Sequence, residues 1–166
     1  MSQNNSNELE GNSKTNNKWQ EWSMEPHTED EIRDAYINDP DNICTSYICR
    51  YSNLSEDFIE ELIYLSTGVF SYRPDLYTEN NIEYLKKIMS IEPTSARTNY
   101  IKSINMKNVS NKDKEFVAYL KTYHSNIRSK IDWWQIASYQ KLSKNFRNKF
   151  AVKFNEAKIK SQNEFV

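Results

Sequence analysis

The side chains that most often carry catalysis or bind metals are sparse and scattered in this sequence. The two histidines, His27 and His124, lie far apart, and neither has a cysteine or a second histidine at the spacing of a metal site. Asp132, Glu156 and Lys158 have the residue types of a nuclease site, but the last two fall within a helical pattern instead of on a strand. We therefore predict a non-enzymatic protein with no catalytic, cofactor-binding or metal-binding residues.

The glycine and cysteine content narrows the possible chemistry further. The chain has only two glycines, whereas phosphate-cradling loops, dinucleotide fingerprints and nucleophile elbows need glycines at several fixed positions. Cys44 and Cys49 are five residues apart in one predicted helix, so their side chains point about 140° apart and cannot form a disulfide. We interpret both as small core residues of a reduced intracellular chain.

The charges are divided unequally along the chain, although the formal net charge is only −1. Residues 1–92 hold 7 Lys and Arg against 18 Asp and Glu, whereas residues 93–166 hold 15 against 5. Such a division is typical of a nucleic-acid-binding face, or of two surfaces that serve different partners. It is equally compatible with two halves that pack together and neutralise each other.

Helical periodicity accounts for most of the chain, and no sustained strand-like alternation occurs. Capping residues mark helix starts at Thr28, Asp41, Ser55, Thr78, Ser110 and Ser143. The sequence thus predicts an all-α fold, a compact bundle of about seven or eight short helices that includes two similar α-hairpin units. One of these helices is expected over residues 127–140, and the helix that starts at Ser143 is expected to be the last.

The N-terminal segment differs in composition from the rest of the chain. Residues 1–17 are rich in Asn, Ser and Gln with a single leucine, so they cannot bury enough apolar surface to fold. We predict a disordered tail there, followed by one helical domain over residues 18–166 with an acidic N-terminal half and a basic C-terminal half. Because no apolar run of 18 residues and no signal-peptide core occur, we expect a soluble chain with no membrane contact.

One short pattern occurs twice, 88 positions apart. Residues 47–58 and 135–146 both contain I-x-x-Y-x-x-L-S-x-x-F. The pattern predicts a helix, a short break and a serine-capped second helix, with Ile and Tyr facing the partner helix and Leu and Phe closing the break. An α-hairpin of this kind must pack on neighbouring helices to bury its apolar side.

The two stretches resemble the repeat D-W-x-x-I-S-x-Y-Q-x-L-S-E-x-F-I of bacteriophage and large DNA virus proteins, as degenerate copies at about residues 43–62 and 131–150. The matching residues are Ile48, Tyr51, Leu54, Ser55, Glu56, Phe58 and Ile59 in the first copy, and Asp132, Trp133, Ile136, Tyr139, Gln140, Leu142 and Ser143 in the second. Thr45 replaces the Trp, Ser52 the Gln and Ala137 the first Ser. The resemblance implies a viral, helical interaction protein and no reaction.

The leading hypothesis is a small viral accessory protein that binds and modulates a host protein or ribonucleoprotein complex in the host cell cytoplasm; an anti-defence inhibitor is one form of it. Aromatic anchors dominate protein interfaces, and acidic patches can occupy a nucleic-acid channel on a target. Adjacent helical residues point about 100° apart, so Trp134 points to the surface or to an interface if Trp133 lies in the core. In the alternative arrangement both tryptophans flank a wide groove of the core. The candidate partner-binding residues are Trp19, Trp22, Glu29, Asp30, Glu31, Asp34 and Trp134.

The alternative hypothesis is a nucleic-acid-binding protein that uses its basic C-terminal helices. Such binding would come mainly from counterion release at phosphates. Because lysine predominates among the candidates, bidentate reading of bases is not indicated. The residues in question are Lys141, Lys144, Arg147, Lys149, Lys153, Lys158 and Lys160. The sequence does not determine the oligomeric state.

Overall fold

The computed structural model describes residues 21–123 and 126–164, with side chains described up to residue 158. Within these ranges the chain forms α-helices, short 3-10 turns and connecting segments without a strand, which confirms the predicted all-α class. A helical turn at residues 21–24 comes first. It is followed by α1 (Glu29–Asn38), α2 (Thr45–Tyr51), α3 (Glu56–Leu65), α4 (Glu79–Met89), α5 (Ser95–Ser103), α6 (Lys114–Thr122), α7 (Trp133–Tyr139), α8 (Lys144–Lys149) and α9 (Ala151–Glu164). The tail predicted at residues 1–17 lies outside the described residues.

Four helices begin at capping residues that the sequence predicts, whereas α2 and α6 begin after Cys44 and Asp113 and not at the predicted starts Asp41 and Ser110. The hydroxyl of Thr28 accepts the N–H of Glu31 at 3.2 Å, and that of Thr78 accepts the N–H of Asn81 at 3.2 Å. The cap residues Ser55 and Ser143 accept the N–H groups three positions further on, each at 3.1 Å. Each cap satisfies one of the backbone donors that a helix N-terminus leaves without an intrahelical partner.

Other helix boundaries differ from the prediction. Cys44 immediately precedes α2, so it does not share a helix with Cys49; both thiols are free, and only Cys49 is fully buried. The last predicted helix is interrupted at Phe150, which ends α8 with a φ of −108° before α9 begins. The bend turns Phe150 and Phe154 onto Trp133, with ring centroids 5.0 Å and 5.2 Å from the indole.

Residues 126–132 form a non-helical segment instead of the first half of the predicted helix over 127–140. The polar backbone groups of this segment bond to other parts of the chain. The carbonyl of Ile127 accepts from the buried guanidinium of Arg97 at 2.7 Å, and the hydroxyl of Ser66 accepts the N–H of Lys130 at 3.0 Å. These long-range bonds replace the local helical ones, so only residues 133–139 remain helical.

The apolar side chains form two clusters. The first joins α1, α2, α3, α7 and α8, and its buried members are Ile32, Tyr36, Ile37, Ile48, Cys49, Leu54, Phe58, Ile59, Leu62, Leu65, Ile136 and Phe146. The second joins α4, α5, α6 and the segment after α3, and its buried members are Val69, Phe70, Leu76, Leu85, Ile88, Ile101, Phe116, Leu120 and Ile127. The two hairpins predicted from the repeated pattern therefore share the first core. About 70 residues separate them along the chain, and this connecting stretch forms the second core.

Candidate interaction surfaces

The two predicted hairpins pack directly on each other, α2 against α7, with Gln140 as the main polar connection. Its amide donates to the carbonyls of Cys49 at 2.8 Å and Ser52 at 2.7 Å, and its side-chain oxygen accepts the N–H of Leu54 at 3.0 Å. Gln140 is buried, so these bonds satisfy groups that would be costly to leave without partners. The sequence marks Gln140 only as a match to the repeat, and its role becomes visible in the structure.

Residues 21–38 form a third hairpin of the same build, which the sequence pattern does not reveal. In each case the first helix ends four residues before a hydroxyl cap: residue 24 before Thr28, residue 51 before Ser55, and residue 139 before Ser143. We call residues 21–38, 45–65 and 133–149 the first, second and third units, and Thr28, Ser55 and Ser143 their cap residues. The following contacts show that the three units stack in this order.

The cap residue of each later unit is held by a glutamate of the unit before it. Glu29 accepts from the Ser55 N–H at 3.2 Å and from its hydroxyl at 3.0 Å. Glu56 accepts from the Ser143 N–H at 2.8 Å and from its hydroxyl at 2.8 Å. Both glutamates directly follow their own cap residue, and a carboxylate beside a helix N-terminus is favoured by the helix dipole.

A second contact joins the backbone before one cap to a side chain of the next unit. The N–H of His27 donates to the Ser52 hydroxyl at 3.1 Å. In the same way, the N–H of Leu54 donates to Gln140. Ser52 and Gln140 both lie three residues before their caps, so the two interfaces use equivalent positions although the sequences differ there.

A third contact is an ion pair whose charges are reversed between the interfaces. Arg33 of the first unit pairs with Glu61 of the second, with Nε and Oε2 2.5 Å apart. Glu60 of the second unit pairs with Lys149 of the third at 2.6 Å. In both pairs the first partner lies five residues after its cap and the second six residues after its own. The three repeated contacts define one stacking geometry.

The stacking geometry tells which positions face the previous unit and which face the next. The positions one and five residues after a cap contact the next unit, so the position four residues after it, on the same side of the helix, also faces that way. This position is Ile32, Ile59 and Arg147 in the three units. The isoleucines are buried, whereas Arg147 of the last unit is exposed.

The position three residues after a cap faces the previous unit, since the guanidinium of Arg33 lies 5.4 Å from the Phe58 ring centroid. This position is Glu31, Phe58 and Phe146 in the three units. The phenylalanines are buried and Glu31 is exposed. Of the three units, the middle one carries both the Phe and the Ile of the repeat, and each outer unit has a charged residue where no other unit of the described residues packs.

Both outer faces of the stack are consequently polar, and they have opposite charge. The acidic end face belongs to the first unit and consists of the exposed residues Glu25, Thr28, Glu31 and Asp34. The basic end face belongs to the third unit and consists of the exposed residues Trp134, Lys144, Arg147 and Asn148. Polar outer faces are typical of the terminal units of stacked repeats.

Trp134 is the large apolar side chain of the basic end face, and 46% of it is exposed. It occupies the position of Ser46 in the second unit, nine residues before the cap. The hydroxyl of Ser46 donates to Asp132, the N-cap residue of α7, at 2.7 Å, so this position of the second unit faces the third unit. Trp133 is half-buried among Phe150 and Phe154, as the separation of the two tryptophans predicts.

The other predicted partner-binding residues do not join Trp134 in one surface. Trp19 lies outside the described residues. Trp22 is half-buried, stacks on the His27 ring at 3.7 Å and packs against the first core. Glu29 holds the Ser55 cap, whereas Glu31, Asp30 and Asp34 are exposed and bond to His27, Arg33 and Asn38, respectively. The acidic run thus belongs to the first unit and Trp134 to the third, at opposite ends of the stack.

Most of the predicted nucleic-acid-binding residues are exposed, but they are spread over several surfaces. Lys144 and Arg147 lie on the basic end face, whereas Lys149 is paired with Glu60. Lys153 lines a groove of ≈ 840 Å³ that α9 forms with the ends of α3 and α4 and the segment before α7. Lys141 and Lys158 are also exposed, and the side chain of Lys160 lies outside the described part.

Tyr139 and Leu142 of the second copy are more exposed than their equivalents Tyr51 and Leu54 in the first. Tyr139 does not face the partner helix, because 51% of it is exposed and its ring lies beneath the Arg50 guanidinium at 4.7 Å. Arg50 also covers the Tyr51 ring at 5.0 Å, so both repeat tyrosines pack on a cation at the interface edge. Leu142 is only half-buried, unlike Leu54, because no further unit covers it.

Two titratable side chains, Cys49 and Glu61, have pKa values that their surroundings shift. Burial raises the pKa of the Cys49 thiol to about 12, so the nucleophilic thiolate is scarce at neutral pH. Burial raises the pKa of Glu61, but hydrogen bonds from Arg33 and Tyr77 outweigh it and hold the pKa below its usual range. Within residues 21–123 and 126–164, no group of three or more metal-ligating side chains is found.

Comparison with known proteins finds no matching family model, no matching curated protein and no matching solved structure. In the described part of the chain, none of the helices combines the length and the apolar character needed to cross a membrane.

Proposed function

We propose that this chain is a non-enzymatic repeat protein of a bacteriophage or large DNA virus that binds a macromolecular complex in the host cytoplasm. The basic end face is its binding surface and Trp134 is the anchor. The observation that carries the proposal is that this large aromatic side chain is exposed at the position where the stack has no further unit. Exposed aromatic residues beside charged ones are typical centres of protein interfaces.

The chemistry of this face defines the kind of partner. Lys144 and Arg147 replace the Glu and Ile of the other units, so the partner must present carboxylates around an apolar recess for the indole. A protein surface fits this better than a nucleic-acid backbone, because the remaining exposed cations lie elsewhere, Lys153 in the groove for example. Inhibition of a host defence complex is one activity that such binding would allow.

The proposal is tested by affinity capture from host lysate with Trp134→Ala, followed by repetition with the purified partner. Tyr100→Ala is the matched control, since Tyr100 has the same 46% exposure but lies on α5, away from the stack. We expect Trp134→Ala to weaken binding by about 2 kcal/mol or more, the typical effect of an interface anchor. Equal losses from both variants, or from neither, would contradict the assignment of this face.

Nucleic-acid binding is a second candidate, favoured by the exposure of Lys141, Lys144, Arg147, Lys153 and Lys158. A site that contacts six or more phosphates should lose about 10³–10⁵ in affinity between 50 and 200 mM salt. The triple change of Lys144, Arg147 and Lys153 to Glu should then abolish binding of generic DNA and RNA without unfolding the protein. Weak binding with a shallow salt dependence would leave the protein-binding proposal as the better one.

A further inference from the structure

We propose that copies of this chain associate head to tail, the basic end face of one copy against the acidic end face of the next. This inference goes beyond the proposed function and does not depend on it. The occupant it assigns to the basic end face is a second copy, because the two end faces have opposite charge and occupy matching positions of one repeated geometry.

The apolar contact of the internal interfaces is replaced by complementary charges at the ends. Between units, the position four residues after one cap and the position three residues after the next carry Ile and Phe, all buried in one core. At a junction between copies these positions are Arg147 and Glu31 of the next copy. Replacement of one apolar residue by any polar one would only remove the apolar contact. Because the two replacements here carry opposite charges, they can form an ion pair across the junction between copies.

Two of the three repeated polar contacts are also compatible with a junction between copies. Among the described residues, the Leu142 N–H has no acceptor, and the equivalent N–H groups of His27 and Leu54 bond to the residue three before the next cap. In a second copy that residue is Glu25, whose carboxylate can accept. The position of the internal ion pairs is occupied by Asn148 and by Asp34 of the next copy, which can form an amide-to-carboxylate hydrogen bond.

One position limits the strength of the junction. Lys144 stands where Glu29 and Glu56 accept from the next cap residue, and an ammonium beside a helix N-terminus is disfavoured by the helix dipole. Lys144 can still donate to the hydroxyl of Thr28 or pair with Glu25 of the next copy. The association is therefore weaker than the internal stacking, reversible and sensitive to salt. Because the contact joins two different faces, it extends into linear oligomers unless the rotation closes a ring.

The test is a charge exchange read by sedimentation velocity and light scattering on nuclease-treated protein. At 20 mM salt the unaltered chain should show a mass that rises with concentration above that of the 19.8 kDa monomer, and at 500 mM salt it should be monomeric. Arg147→Glu and Glu31→Arg should each abolish the association, since each places like charges across the junction. An equimolar mixture of the two variants should restore it, because opposite charges then face each other at every junction.

The exposed Lys158→Glu variant is the control, since its change in charge equals that of Arg147→Glu but lies on α9, outside both end faces. Monomers at every concentration in low salt, or a mixture that stays monomeric, would overturn the proposal, and so would association that disappears on nuclease treatment. Circular dichroism melts verify that both variants remain folded. Glu31→Arg also separates this inference from the proposed function, because it should abolish self-association, whereas capture of a host partner through Trp134 should be retained or strengthened once no second copy competes for the basic end face.

Discussion

The two internal interfaces of the stack have one geometry and different chemistry. Between the first and second units the ion pair is Arg33 with Glu61, and between the second and third it is Glu60 with Lys149, with the charges reversed at equivalent positions. The acceptor of the backbone N–H is a serine in one interface and a glutamine in the other. The shared positions fix how the units stack, and the residue at each position can vary as long as donor and acceptor remain matched.

The largest expected effect on the free energy of unfolding concerns the residue three positions after each cap. Phe58→Ala and Phe146→Ala should each lower the free energy of unfolding by about 3–5 kcal/mol, because both rings are buried in the shared core. Glu31→Ala at the equivalent position of the first unit should change it by only about 0.5 kcal/mol, because Glu31 is exposed. Urea unfolding of the three variants measures the differences. Similar effects at all three positions would show that the first unit is not an end of the stack.

The next test compares the acceptors of the two interfaces. Gln140→Ala removes three hydrogen bonds and leaves the Leu54 N–H and two carbonyls buried without partners, so we expect a loss of about 2–3 kcal/mol. Ser52→Ala removes the single bond from the His27 N–H and should cost about 1 kcal/mol. Thermal unfolding followed by circular dichroism gives both values. A larger loss of stability for Ser52→Ala than for Gln140→Ala would show that the acceptor of the first interface contributes more than the acceptor of the second.

The smallest expected effect concerns the ion pairs and their dependence on pH. The folded-state pKa of Glu61 is lowered, so Glu61 contributes stability above its unfolded-state pKa of about 4.5 and loses it as the pH falls through the folded-state value. We expect Glu61→Gln to cost about 1 kcal/mol at pH 7, because the pair is partly exposed. The difference from the unaltered chain should shrink at pH 3. If the difference in the free energy of unfolding stayed constant between pH 7 and pH 3, the Glu61 carboxylate would not be its cause.

The more exposed pair of the second interface sharpens the same comparison. The side chains of Lys149 and Glu60 are 61% and 35% exposed, against 30% and 23% for Arg33 and Glu61. Lys149→Ala should therefore change the free energy of unfolding by no more than about 0.5 kcal/mol. Salt titration to 1 M should remove even this difference, because exposed charges are screened.

The sequence predicts the helical class and four helix starts because capping residues and periodicity act locally, as at Thr28 and Ser143. It also predicts that two hairpins are alike. It misses the first unit, because Glu21, Met24, His27, Thr28 and Glu31 stand there in place of the Ile, Tyr, Leu, Ser and Phe of the pattern. The charged Glu31 agrees with the position of this unit at an end of the stack. The sequence misses the non-helical segment over residues 126–132 because the bonds to Arg97 and Ser66 come from distant parts of the chain. It also misses the hydrogen bonds that Gln140 and Glu56 make across the second interface, because these too depend on tertiary packing.

The second core has a consequence for the kinetics of folding. Residues 39–44 connect the first unit to the second, whereas residues 66–132 connect the second unit to the third. Closing the longer loop costs about 2 kcal/mol more chain entropy, at roughly 0.6 kcal/mol for each doubling of length. Ser66 and Ser129, near the two ends of the longer connection, meet at 3.1 Å, so once the second core has formed, its ends are already side by side. We therefore expect the third unit to dock only after the second core has formed and closed this loop. The rate at which the second core forms then limits the rate at which the stack is completed.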